Sequence, residues 1–166
     1  MKNSNIKHQQ GMTLIELMVS LVVLAIMASV AVPTMKGLFE RKNIVETGKY
    51  FERSVRLART EAINRGAIVR IQPTSGSGDW SQGWFLEYTK ADASNEVIRT
   101  FPAPSGNPSF VSAEFNGSLL LQIRPSGQAV SRGEFTLSYP TNCTVGTISY
   151  ELLLSGILLK ETTPCS

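Results

Sequence analysis

The chain begins with an apolar stretch that differs from everything after it. Between Met12 and Met35, 18 of 24 residues are apolar, and Glu16 carries the one charge. Residues 17–35 carry no charge at all and would extend about 28 Å as an α-helix. That length is close to the thickness of the hydrocarbon core of a bilayer. We therefore expect residues 12–35 to form a transmembrane N-terminal helix that carries a soluble domain.

Beyond the apolar stretch, the pattern predicts an amphipathic helix over residues 36–66. From Leu38 to Arg65, apolar side chains recur at about 100° per residue and share one face. They are Ile44, Phe51, Val55, Ala58 and Ala62. The opposite face carries a candidate basic surface made of Lys42, Lys49, Arg53 and Arg56. Pro33 is expected to curve the helix, and the apolar face is expected to pack on a sheet.

After residue 66 the hydrophobic period changes to two, which is typical of β-strands. The alternating runs are Val69–Gln72, Trp84–Tyr88, Leu119–Arg124 and Glu134–Tyr139. Gly, Ser and Pro mark loops at 75–79 and 102–108. Residues 147–154 and 157–160 flank Ser155 and Gly156, which predicts a hairpin. The fold class is therefore expected to be α+β, with the long helix packed on an antiparallel, two-layer β domain over residues 67–166.

Composition and charge narrow the function classes. Of the 166 residues, 42% are hydrophobic, which excludes disorder for most of the chain. A net charge of +3 is too small for a general polyanion binder. The charge is uneven, because residues 36–70 hold nine basic and four acidic residues and residues 72–166 hold five and eight. The basic helix face fits contact with lipid headgroups or neighbouring subunits, with a nucleic-acid surface as the alternative.

The N-terminus resembles a known processing signal. The run from Lys7 to Gly11 followed by Met12-Thr13-Leu14-Ile15-Glu16 is similar to the prepilin signature of type IV pilins and type II secretion pseudopilins. In that class, prepilin peptidase cuts after the Gly and methylates the new N-terminus. The resemblance implies a leader peptide of residues 1–11, cleavage between Gly11 and Met12, and N-methylation of Met12. Met12 departs from the Phe that is commonest there.

Glu16 has an implied role in assembly. Cleavage leaves a charged amine at Met12, about one helical turn from Glu16. The resemblance implies that this carboxylate pairs with the N-terminal amine of an adjacent subunit, since a buried charge needs such a partner. One alternative is that Glu16 reaches back to the membrane interface. Another is a cleaved secretory signal with a small-residue site at 28–31, although a carboxylate at the start of the apolar core is atypical.

Three later segments resemble the GspH/FimT family, in the same order along the chain. They are Leu57–Gly66, Trp80–Trp84 and Ile123–Ala129. That family holds the minor pseudopilin of type II secretion and minor pilins of type IV pili. The resemblance implies a pilin-like fold and a minor pilin or pseudopilin that initiates or caps pilus or pseudopilus assembly. A tip subunit of the type II secretion pseudopilus, acting in protein secretion, is one alternative.

The other alternative is a DNA-binding minor pilin that acts in natural transformation. Some members of the family carry Gly-Arg-x-Arg on a C-terminal loop for this purpose. The corresponding residues, Gly156-Ile157-Leu158-Leu159, contain no Arg. Because Arg and Lys contacts to phosphate dominate the affinity for DNA, we do not favour DNA as a partner.

The remaining residue types indicate a structural protein. Cys143 and Cys165 are expected to form a disulfide in a non-cytoplasmic domain, with two free thiols as the alternative. The one histidine, His8, lies in the predicted leader, and no zinc spacing or Walker A motif is present. We expect no enzymatic activity, no metal and no cofactor.

The expected partners are prepilin peptidase, other major and minor pilins or pseudopilins, and the inner membrane. The predicted location is a single pass through the bacterial inner membrane with the C-terminal domain in the periplasm, followed by entry into the fibre.

Overall fold

The computed structural model describes residues 12–116, 119–139 and 146–164, and it leaves out the side chains of residues 30–34. One helix, α1, covers Leu14–Arg65. Eight strands follow: β1 Val69–Pro73, β2 Gly83–Thr89, β3 Asn95–Pro102, β4 Ser109–Val111, β5 Leu121–Ile123, β6 Gly133–Ser138, β7 Thr147–Leu152 and β8 Leu158–Thr163. The chain divides into two compact units, Met1–Lys36 and Gly37–Ser166.

In the first unit, the start of α1 exposes its apolar side chains. Leu14 is 78% exposed and Ile15 is 71% exposed, and the large apolar residues up to Met27 are similarly accessible. Within the residues that the structure describes, no helix combines the length and the apolar content needed to cross a membrane.

In the second unit, the predicted apolar face of α1 is confirmed. Its five members, Ile44, Phe51, Val55, Ala58 and Ala62, are each at most 2% exposed. The helix ends at Arg65, and Gly66 follows with a φ of +62°. A left-handed residue at this position ends a helix at little cost when it is Gly.

The strands form two antiparallel sheets of four strands each. Sheet 1 has the order β3-β2-β1-β5, and sheet 2 has the order β4-β6-β7-β8. All the strand pairs are antiparallel. The predicted α+β class, with the helix packed on an antiparallel β domain, is confirmed.

The core lies between α1 and the inner faces of both sheets. Phe51 is its centre, because its ring lies 4.5–6.0 Å from five other aromatic rings. Those rings belong to Trp80, Trp84, Phe110, Phe135 and Tyr150. Edge-to-face geometry predominates among these pairs, which is the arrangement that ring quadrupoles favour.

The structure corrects several sequence expectations about the strands. The sequence pattern does not predict β3 and β4, and Pro102 ends β3 where the pattern predicts a loop. The strand expected from residue 119 begins at Leu121, and Leu119 is 41% exposed.

The predicted C-terminal hairpin is confirmed: Leu152 pairs with Leu158, and Gly156 donates its N–H to the Leu153 carbonyl at 2.9 Å.

Candidate functional site

The start of α1 is the first candidate site, and Thr13 organises it. The backbone N–H of Glu16 donates to Thr13 Oγ1 at 3.3 Å, and the N–H of Leu17 donates to the Thr13 carbonyl at 3.2 Å. Thr13 is therefore the N-cap of α1. The spacing Thr-x-x-Glu is that of a capping box, a signal that the sequence reading missed. Met12 is 64% exposed, and Gly11 lies outside the described residues.

Glu16 stands in the first turn of α1, where the helix dipole favours a negative charge. The residue is exposed, and no cation among the described residues pairs with its carboxylate. The predicted pairing with the amine of a neighbouring subunit concerns a second chain and stays a prediction.

The predicted basic surface of α1 is exposed. Lys42 lies 3.9 Å from Glu46, and Arg56 lies 3.9 Å from Glu52. Solvent-exposed pairs at such distances contribute little, so these contacts leave most of the positive charge accessible.

A groove lies between α1 and the β7–β8 hairpin, and sequence reasoning missed it. It encloses about 420 Å³. Its charged residues are Glu52, Arg56, Arg59 and Lys160. Apolar groups line it as well, including Val55, Ile157 and Leu158. Only the fold brings these residues together, since α1 ends at Arg65 and β7 begins at Thr147.

Glu52 is the central acceptor in this groove. The hydroxyl of Tyr150 donates to Glu52 Oε1 at 3.3 Å, and Lys160 Nζ lies 3.7 Å from the same atom. Burial raises the pKa of Tyr150, and the nearby Glu52 carboxylate raises it further. Tyr150 is therefore a neutral hydrogen-bond donor over the ordinary pH range, and it connects sheet 2 to α1.

A second groove, of about 260 Å³, lies between α1 and the end of β3. Asn43, Tyr50, Trp84 and Phe101 contribute to its lining. Trp84 is 1% exposed, and its Nε1 has no hydrogen-bond partner in the described part of the chain. The charged residues in its lining are Glu46 and Arg99.

Two known sequence families match parts of this chain. The family of the type II transport protein GspH matches residues 50–156, and the prokaryotic N-terminal methylation motif matches residues 6–32. The chain belongs to the GspH family. The resemblance inferred from the leader and the three later segments is confirmed, and no curated protein sequence matches the chain.

The fold of this GspH-family protein is similar to that of the type IV minor pilin FimU of Pseudomonas aeruginosa strain PAO1. A crystal form in space group P21 is 16% identical, with a TM-score of 0.61, over 75% of this chain and 92% of FimU. A second form, in space group P65, gives a TM-score of 0.54 at 16% identity, over 68% and 88% of the two chains. The pilin-like fold is therefore shown.

The segment Ile123–Ala129 contacts Gly156, at the tip of the β7–β8 hairpin. Gly127 and Gly156 both have left-handed backbones, with φ values of +79° and +76°. A Cβ at Gly156 would overlap the Gly127 carbonyl oxygen. The turn at 123–129 therefore packs against the tip of the β7–β8 hairpin. Ile157 and Leu159 of this hairpin are each 49% exposed.

Cys143 and Cys165 lie outside the described residues, so the disulfide stays a prediction. Across residues 12–116, 119–139 and 146–164, no group of three or more His, Cys, Asp or Glu side chains could hold a metal ion.

Proposed function

We propose that this GspH-family protein is a minor pilin or pseudopilin that initiates or caps assembly of a type IV pilus or a type II secretion pseudopilus. The observation that carries this proposal is the order of two matched segments along one chain. The methylation motif, residues 6–32, precedes the GspH region, residues 50–156, and α1 overlaps both. The fold shared with a type IV minor pilin supports the same function.

The first step of the proposed pathway is processing by prepilin peptidase. The enzyme cuts between Gly11 and Met12 and methylates the amine of Met12, leaving 155 of the 166 residues. Supporting this, Met12 is 64% exposed and precedes the helix cap at Thr13. The new amine then lies next to the first turn of α1.

The second step is storage in the inner membrane. Residues 12–35 form the membrane helix, and the C-terminal domain lies in the periplasm. The exposed apolar side chains from Leu14 to Met27 support this step, because soluble proteins rarely leave such a continuous apolar surface in water.

The third step is entry into the fibre, where Glu16 pairs with the N-terminal amine of an adjacent subunit. An exposed carboxylate with no cation partner in the described residues supports this role. Bringing Glu16 into a bundle of apolar helices without a cation would cost several kcal/mol. The partners are therefore other pilins or pseudopilins, and the protein is a structural subunit and not an enzyme.

Processing is tested by expressing the full chain with an active or an inactivated prepilin peptidase and measuring its intact mass and N-terminal sequence. With active enzyme, we expect an N-terminus at methylated Met12. With inactive enzyme, the chain should keep residues 1–11. A chain that active enzyme leaves uncut, or one cut after residues 28–31 in both strains, would contradict the proposal.

A further inference from the structure

Three of the four sheet edges that the structure describes are protected against a further strand. On β5, the Gln122 carbonyl accepts from the N–H of Val130 at 2.9 Å. On β4, the Phe110 carbonyl accepts from the N–H of Trp80 at 2.7 Å. β3 has a register shift against β2 and ends at Pro102, which has no N–H to donate. Covering segments, bulges and prolines are means by which proteins protect their sheet edges.

β8 is the fourth edge, and it is open. Its six residues, Leu158–Thr163, all pair with β7, and no register shift interrupts them. Five of the six are exposed. On the side away from β7, no backbone bond to another segment is present within the described residues. β8 is therefore long, regular and uncovered, which are the properties of an edge that pairs with another chain.

The backbone groups that face this open edge belong to Leu158, Lys160 and Thr162. The turn of the hairpin sets the alternation, because the N–H of Leu153 donates to the Ile157 carbonyl at 2.9 Å. Pairs in an antiparallel ladder alternate between hydrogen-bonded and non-hydrogen-bonded, and the pair that contains Leu158 comes next. Leu158, Lys160 and Thr162 therefore direct their N–H and C=O groups away from β7. They repeat every two residues, about 7 Å apart, which is the spacing at which a further strand would bond.

The side chains of this edge face the groove beside α1. Leu158 and Lys160 both line it. Lys160 Nζ lies 3.7 Å from Glu52 Oε1 and 5.8 Å from the centroid of the Tyr150 ring, so it lies across the groove and not across the open edge. Alternate residues of a strand share one side of the sheet. A strand added beside β8 would therefore direct every second side chain toward the groove.

The groove favours negatively charged side chains. Three cations and one carboxylate line it, which gives a net charge of +2: Arg56, Arg59, Lys160 and Glu52. Arg56 and Lys160 approach Glu52 only to 3.9 Å and 3.7 Å. Arg59 forms no ion pair within the described residues. A carboxylate on an added strand would therefore meet a cation without displacing a close ion pair.

We infer that β8 binds an extended acidic segment of another fibre subunit as an additional strand, whose alternate carboxylates enter the groove. A strand added to an exposed sheet edge gains affinity from main-chain hydrogen bonds and specificity from the pockets for its alternate side chains. β8 supplies the hydrogen bonds through Leu158, Lys160 and Thr162. The groove supplies the specificity through Arg56 and Arg59. This inference rests on the proposed function as a fibre subunit.

The open edge distinguishes this partner from a nucleic acid and from a second copy of this chain. Each of its three free residues presents a carbonyl oxygen beside its N–H, and a phosphate has no donor for that carbonyl. Burying the carbonyls unpaired would cost free energy. A second copy joined through its own β8 would bring its Lys160 to the same side as the first Lys160, and like charges opposite each other destabilise a pair of strands. An acidic segment of a different chain satisfies both the backbone and the groove.

The test measures the binding of two fluorescent peptides to the full chain in detergent micelles. Each peptide has about seven residues, close to the length of a typical strand. In one, Val alternates with Glu, and in the other Val alternates with Lys. Two protein variants test the edge, because Thr162→Pro removes one outward N–H and Thr162→Val keeps it. Two more test the groove: Arg56→Glu reverses a lining cation, and Arg41→Glu makes the same change at an exposed position about 22 Å earlier along α1.

We expect the Val–Glu peptide to bind and the Val–Lys peptide not to bind. Thr162→Pro and Arg56→Glu should each weaken binding about tenfold, because each removes a hydrogen bond or a charge contact at the interface. Thr162→Val and Arg41→Glu should bind like the wild type. In the wild type, the bound peptide should slow amide hydrogen exchange at Leu158, Lys160 and Thr162. That measurement needs no variant, so it tests the edge even where Thr162→Pro does not fold.

Four results would overturn the inference. One is the absence of binding by the Val–Glu peptide, and another is equal binding by the Val–Lys peptide. A third is binding that Thr162→Pro leaves unchanged and that does not slow exchange along β8. The fourth is stronger protection of the same three amides by a DNA duplex, or by a rise in the concentration of the chain alone, than by the peptide. All four leave cleavage after Gly11 unaffected, so the proposed function stands or fails by its own measurement.

Discussion

Gly48 on α1 lies against the hydroxyl of Tyr150 on β7, so closely that a Cβ atom at position 48 would overlap Oη. Tyr150 is fully buried and donates to Glu52 at 3.3 Å. Helix and sheet 2 therefore approach each other to a distance that only Gly allows. We expect Gly48→Ala to lower the free energy of unfolding by about 1–3 kcal/mol, although Ala has the higher helix propensity. Denaturant unfolding of the full chain in detergent measures the change.

The control for this prediction is the same substitution in a Tyr150→Phe background. Without Oη, the nearest ring atom to the new Cβ is Cζ at 3.2 Å, a contact that a small shift relieves. Gly48→Ala should therefore cost less than half as much in that background as in the wild type. Equal costs in the two backgrounds would show that the hydroxyl is not the obstacle.

Tyr150 also makes stability depend on alkaline pH. Burial and the Glu52 carboxylate raise the pKa of Tyr150 well above its usual value. In the unfolded chain, a tyrosine loses its proton at about pH 10. Above that pH the unfolded state binds fewer protons than the native state, so stability falls as pH rises. Below that pH, Tyr150 does not make the free energy of unfolding depend on pH.

The measurement is the free energy of unfolding between about pH 8 and pH 11, compared across variants. The free energy of unfolding of the Tyr150→Phe variant should fall less steeply with rising pH than that of the wild type. Tyr50→Phe is the matched control, because it removes a hydroxyl outside the Tyr150–Glu52 contact from a side chain that is 51% exposed. A slope that is the same in all three proteins would contradict the assigned environment of Tyr150.

Phe51 is the residue of α1 that packs at the centre of the core. Its ring contacts aromatic rings from both sheets, the nearest being Phe135 with centroids 4.5 Å apart. Phe51→Ala should lower the free energy of unfolding by about 3–5 kcal/mol, through lost burial and the cavity it leaves. Leu38→Ala on the same helix should change it by less than about 0.5 kcal/mol, since Leu38 is 67% exposed. Comparable losses in both variants would argue against a core centred on Phe51.

A partly buried ion pair connects β1 and β2 of sheet 1. Glu87 is 7% exposed and accepts from Arg70 Nε at 2.9 Å and from Gln72 Nε2 at 2.6 Å. Arg70→Met would leave the carboxylate with one donor, so we expect a loss of about 1–3 kcal/mol in unfolding free energy. The comparison is Lys90→Met, which breaks a pair whose side chains are both 41% exposed and should cost less than about 1 kcal/mol. If the two variants lose equal stability, Glu87 does not depend on Arg70.

The helix could be predicted from the sequence because its period is long and uninterrupted. About twenty residues of 3.6-residue spacing between Ile44 and Ala62 identify the buried face without any knowledge of what covers it. The C-terminal hairpin could be predicted for a similar local reason, since Ser155 and Gly156 separate two strand-like runs.

β3 and β4 could not be predicted because their side chains carry no clean alternation. β3 is an edge strand in which Phe101 alone is buried, and a bulge opposite Leu86 and Glu87 interrupts its register. β4 has only three residues. Such strands form because neighbouring strands supply hydrogen-bond partners for their backbones. Those neighbours come from other parts of the chain, so the strand's own residues do not reveal it.

The groove could not be predicted for a different reason. In the sequence, Lys160 is a lone cation and Glu52 is one polar residue of a helix. Their contact, and that of Tyr150 with Glu52, depends on the packing of the hairpin against α1 and leaves no local pattern.

The most direct test of the fibre-subunit role is to look for the protein in purified fibres sheared from cells that make pili or pseudopili. We predict that the processed wild-type chain is present in the fibre fraction. The Glu16→Ala chain should be absent from the fibre fraction, although its amount in the membrane is normal. The Glu46→Ala chain should be incorporated into fibres. Glu46 is the control because it is an exposed carboxylate on the same helix and pairs with Lys42. A wild-type chain that never enters fibres, or a Glu16→Ala chain that enters them as well as the wild type, would contradict the account.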